Sequence, residues 1–100
     1  MATRTLESIQ VDLRAILPDL RARYGVEDLW VFGSRARGDE GESSDLDLMV
    51  RVPPGRLSLW DYIGLEQEIE DRLGLDVDLV ERRALRPEIA SYILPEAVPV

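Results

Sequence analysis

At 100 residues, 45% of them hydrophobic, the chain is sized for a single domain over residues 1–100 with one modest core. Its 20 acidic against 12 basic residues leave a net charge of −8, which disfavours direct nucleic-acid binding and suits metal cations or a basic protein partner. It holds no cysteine and no histidine, which excludes disulfides, thiolate zinc sites, Ser-His triads and histidine bases.

Any metal must therefore sit on oxygen ligands, which points to hard divalent cations. No apolar run reaches membrane-spanning length and the chain opens on no signal-peptide pattern, so a cytoplasmic protein with no membrane association is expected.

Thr3 or Thr5 can cap a first helix, in which Leu6, Ile9, Leu13, Ile16, Leu17 and Leu20 recur at helical spacing and form a core-facing stripe. Pro18 interrupts it, as a kink or as the opening turn of a second short helix over residues 19–23. Gly25 suits the left-handed position after the helix. Residues 29–32, Leu-Trp-Val-Phe, read as a buried strand that Gly33 stops. Residues 34–37 suit one helical turn and 38–44 a polar loop. A second strand follows over residues 45–52, closed by Pro53-Pro54-Gly55.

Ser58 with Asp61 reads as a capping box for the next helix, whose apolar face carries Leu59, Tyr62, Ile63, Ile69 and Leu73 and which Gly74 ends. Glu68 and Arg72 form an expected i, i+4 pair on its solvated face. A third strand is expected over residues 75–80, a last short helix over 87–94 and an edge strand over 97–100. The helix between strands two and three implies a parallel crossover, and the short loop between strands one and two implies an antiparallel pair. The fold class is α/β (α+β): a small mixed sheet with helices packed on one face.

Chemistry concentrates between Gly33 and Asp78. Asp45 and Asp47, spaced i, i+2, share one face of a strand while Leu46 and Leu48 take the other. Adjacent like charges repel, so the arrangement makes sense as a cation site. Asp78 on the neighbouring strand can join them; Asp76, two residues earlier, shares its face and is the alternative third carboxylate. Gly33 permits close approach of a phosphate, Ser34 and nearby amides can bond its oxygens, and Arg35 or Arg37 can neutralise it. Solubility, or ion pairs to Asp39 and Glu40, explains the two arginines nearly as well. These are the parts of two-metal phosphoryl or nucleotidyl transfer.

Gly33-Ser34, ten residues, then Asp45-Leu46-Asp47 resembles the GSx10DxD signature of the polymerase β-like nucleotidyltransferases. Gly33 to Gly38, Ser44 to Leu48 and Val77-Asp78-Leu79-Val80 look more closely like the minimal nucleotidyltransferases (MNT), small prokaryotic proteins encoded beside HEPN-domain proteins. The resemblance runs from about Tyr24 to the C-terminus. It implies a palm-like nucleotidyltransferase fold. Gly33 and Ser34 would bind nucleotide phosphates, with Arg35 and Arg37 beside them. Asp45, Asp47 and Asp78 would be both catalytic and metal-binding, holding Mg²⁺ in a two-ion site, with Mn²⁺ as the alternative. The implied activity is AMP transfer from ATP to a tyrosine hydroxyl of a HEPN toxin, the protein acting as its antitoxin. The implied assembly is a hetero-oligomer with the toxin or a homodimer, to which Trp60, Tyr92 and Ile93 add apolar surface. Simple occlusion of the toxin without catalysis is the second reading.

Overall fold

The computed structural model describes residues 5–38 and 45–100. Thr3, the loop over residues 39–44, and Asp39 and Glu40 as ion-pair partners lie outside the described residues.

Helix α1 spans Leu6–Tyr24. Thr5 caps it, its side chain accepting from the Ser8 amide, and Gly25 closes it at φ +75°. Pro18 lies inside this helix, so the separate helix expected over residues 19–23 does not exist. Leu17 and Leu20 flank the proline and are both buried, which keeps the last turns on the same packing stripe as Ile9, Leu13 and Ile16.

Strands β1 (Asp28–Phe32) and β2 (Leu46–Arg51) pair antiparallel, Phe32 opposite Asp47 and Asp28 opposite Arg51. Between them, α2 is the single turn Ser34–Arg37. Helix α3 (Leu59–Leu73) opens on the complete Ser58/Asp61 capping box, and the Ser58 amide that donates to Asp61 lowers that carboxyl's pKa. It crosses over to β3 (Val77–Glu81), which pairs parallel with β2. Helix α4 (Pro87–Ile93), a 3₁₀ turn at Leu94–Glu96 and strand β4 (Val98–Pro99) complete the chain. The four-stranded sheet has the order β3-β2-β1-β4, the mixed sheet expected from the sequence.

Alternation divides the sheet into two faces. Leu29, Val31, Leu46, Leu48, Val50 and Val77 meet α1 and α3 in one buried cluster. Each fully buried aliphatic side chain there contributes about 1.5–3 kcal/mol. Asp28, Trp30, Phe32, Asp47, Met49, Arg51 and Asp78 take the opposite face. Trp30 is half-buried there, with the Arg82 guanidinium 5.6 Å from its ring centre, whereas Trp60 on α3 stands 78% exposed.

The expected Glu68–Arg72 pair is replaced by links between helices. Glu68 accepts from Arg23 of α1, and Arg72 reaches Asp19 of α1 at 3.2 Å. The packing of α1 against α3 brings an arginine from each helix to an acid on the other, so the i, i+4 partner is displaced. Arg23, held by Glu68 and then Asp19, has its pKa raised.

The outer edge of β3 is sealed by the same helix. The Val77 amide donates to Glu70 Oε2 at 2.8 Å. An edge strand with an outward N–H group occupied is a poorer template for another strand.

Candidate active site

Gly33 stands at φ +77°, a conformation that costs an L side chain strain. A Cβ there would lie 2.1 Å from Asp47 Oδ2, so the turn and the carboxylate are built against one another. The Gly33 carbonyl accepts from the Ala36 and Arg37 amides, both at 3.1 Å, which shapes the α2 turn.

Asp47 lies opposite Phe32 on one side and Asp78 on the other. Asp45 precedes β2 by one residue, exposed and two residues from Asp47. Burial, then the charges of Asp78 and Asp45, push the Asp47 carboxyl above its ordinary value; Arg37 works against this and Glu96 adds to it. The parallel register brings Asp78, not Asp76, beside Asp47. Asp76 falls just before β3, which begins two residues later than the sequence pattern suggests, and its carbonyl accepts from the Leu46 amide at 2.8 Å.

The two arginines have separate fates. Arg35 is only 3% exposed, which corrects its reading as a solubilising surface residue. Arg37 is exposed and donates to both oxygens of Glu96, at 3.1 and 3.0 Å. Glu96 also accepts from the Gly33 amide at 3.1 Å. Sixty-three positions separate Glu96 from Gly33, and nothing in the local sequence marks the contact.

The nucleotidyltransferase domain family matches residues 13–100. The chain is 44% identical over 101 aligned residues to the protein adenylyltransferase MntA of Thermococcus cleftensis, covering 98% of each. The chain belongs to the nucleotidyltransferase domain family. A solved structure described as a candidate minimal nucleotidyltransferase matches with a TM-score of 0.81 at 40% identity, covering all of both chains. At 22% identity, a Shewanella oneidensis MNT antitoxin structure, solved with a tri-AMPylated HEPN toxin, shares the fold (TM-score 0.67, covering 91% of this chain and 70% of that one).

Within this nucleotidyltransferase domain, the acidic site fits a hard cation by its chemistry. Its donors are all carboxylate oxygens, and Asp47 is destabilised in its charged form by the other two acids, a penalty that a cation relieves. Among the described residues no group of three carboxylates stands close enough together to hold a metal ion. No helix among the described residues is long and apolar enough to cross a membrane.

A groove of about 330 Å³ lies between α3 and β3, lined by Leu59, Tyr62, Ile63, Glu66, Leu79 and Glu81. Burial raises the Glu66 pKa, the Leu79 amide opposes this, and Glu70 and Asp78 add to the rise. Glu66 thus belongs to the electrostatic surroundings of Asp78, a role that the sequence pattern does not mark.

Proposed function

We propose that this protein transfers AMP from ATP, with Mg²⁺, to a tyrosine hydroxyl of a HEPN-domain toxin and thereby acts as its antitoxin. One observation carries the reading: Asp47 faces Asp78 in register, beside a glycine turn that has no room for a Cβ. The MntA relative, named a protein adenylyltransferase, supports the same reaction class. The structural likeness to an MNT antitoxin supports the domain architecture that such a reaction uses.

Asp45 and Asp47 would hold the metal ions, with Asp78 completing the set. The chemistry that Mg²⁺ supplies when bound is neutralisation of the triphosphate and acidification of the acceptor hydroxyl. Gly33 and Ser34 would seat the phosphate tail, and Arg37 at the surface would neutralise it. Buried Arg35 would support the turn from beneath. The acceptor oxygen attacks the α-phosphorus as the bond to pyrophosphate breaks, and the hydroxyl proton passes toward Asp78. The acceptor side of the site is open. The groove between α3 and β3 and the exposed Leu59, Trp60 and Ile63 offer apolar surface to a protein, and the acidic balance suits a basic one.

The test is intact-mass analysis of the HEPN partner after incubation with this protein, ATP and Mg²⁺. A gain of one or more AMP units is expected. A stable complex with no mass change would instead establish neutralisation by occlusion.

A further inference from the structure

The phosphate role given to the Gly33 turn meets a contact that it does not explain. Two donors suited to a phosphate oxygen, the Gly33 amide and the Arg37 guanidinium, already hold the carboxylate of Glu96. A backbone N–H and an arginine are the donor pair that recognises phosphate and carboxylate alike. Glu96 sits in the 3₁₀ turn just before β4, and β4 adds to the free side of β1 at Trp30 and Val31. The C-terminal segment is therefore fastened at two places: by strand pairing to β1, and by one carboxylate to the turn that follows β1.

We propose that Glu96 is an internal surrogate for a nucleotide phosphate, a residue that a polyphosphate must displace from the Gly33 amide and Arg37 in order to bind. This rests on the phosphate role of the Gly33 turn. A polyphosphate brings several charges to the Gly33 amide and Arg37 and can displace the single carboxylate. The same exchange releases the turn at Leu94–Glu96 while β4 stays paired, so polyphosphate binding is reported to the C-terminal segment. A carboxylate left beside the bound phosphates also repels them, which favours release of the product pyrophosphate.

The experiment uses the full chain, its Glu96→Gln variant and inorganic tripolyphosphate, with nuclear magnetic resonance of backbone amides as readout. Glutamine keeps an acceptor for the Gly33 amide but no charge for Arg37. Glu96→Gln should bind tripolyphosphate about three- to tenfold more tightly, the span of a half-exposed ion pair and a charged hydrogen bond. In the unaltered chain the Gly33 and Ala97 amides should shift together along one saturation curve. An Arg37→Met background should erase most of the gain from Glu96→Gln, whereas a merely structural role would lower thermal stability and leave the gain independent of Arg37. Equal or weaker binding by Glu96→Gln, or Gly33 and Ala97 shifts with different midpoints, overturns the proposal. AMP transfer to a HEPN partner is scored separately: its failure with the tripolyphosphate results intact removes the adenylyltransferase reading and leaves the displacement standing.

Discussion

The two ends of the β1–β2 ladder carry acids on the same face and treat them in opposite ways. At one end Asp28 lies opposite Arg51 and is paired with it, Glu27 stands 3.8 Å from Arg51, and Arg83 reaches Glu27 at 3.4 Å. At the other end Asp47 lies between Phe32 and Asp78, and the acids that surround it outweigh Arg37. An acid opposite a base needs no explanation beyond the fold. An acid opposite an acid costs stability, and the proposed function gives it a bound cation to offset that cost.

The largest contrast should come from Asp47→Asn. Nucleotidyl transfer should fall by on the order of 10²–10³-fold or more, as expected when a charge aimed at the reacting centre is lost. The unfolding temperature should stay level or rise, because a half-buried charge beside two like charges has gone. Calorimetry beside a labelled-ATP assay reads both, and a parallel loss of stability and activity would place Asp47 with the structural acids.

Gly33→Ala comes next. A side chain at φ +77° costs about 1–3 kcal/mol before its overlap with Asp47 is counted. Each kcal/mol lowers the midpoint of a domain this size by about 4–8 °C. Chemical denaturation should show this loss together with loss of activity, since relief of the overlap must move Asp47.

Arg51→Met probes the paired end. It leaves Asp28 without its arginine while Glu27 keeps Arg83, both acids in partly exposed positions, so about 0.5–1 kcal/mol should be lost with transfer unchanged. A tenfold drop in activity there would erase the distinction between the two ends.

The smallest effect is in pH. Because the Asp47 pKa is raised by folding, the folded state keeps a proton that the unfolded chain has released. Stability from this group is present below the ordinary carboxylate value and declines as pH rises from there through the raised folded value. Asp47→Asn should flatten that part of the pH–stability curve.

Much of this contrast is legible in the sequence. Gly33-Ser34 and the alternation of Asp45, Leu46 and Asp47 mark a turn and a two-sided strand from local residues alone, and the crossover helix implies the parallel neighbour. The choice between Asp76 and Asp78 is not local, because both occupy the same face and only the register set by α3 and its connections decides which one meets Asp47. Arg35 and Arg37 look alike in sequence, yet a helical turn separates them by about 200° and sends one inward and one out to Glu96. Pro18 misleads because burial of Leu17 and Leu20 outweighs the loss of one backbone donor. Glu70 and Glu96 accept from backbone amides across a connection or far along the chain, where periodicity carries no information.

The central claim is that the Asp47/Asp78 end is the reacting centre and the Asp28/Arg51 end is scaffold. The direct measurement is AMP incorporation into the HEPN partner by Asp78→Asn and Asp28→Asn side by side, with unfolding temperatures recorded. The account predicts that Asp78→Asn loses incorporation and keeps its stability, while Asp28→Asn keeps incorporation and loses stability. Undiminished incorporation by Asp78→Asn would contradict it.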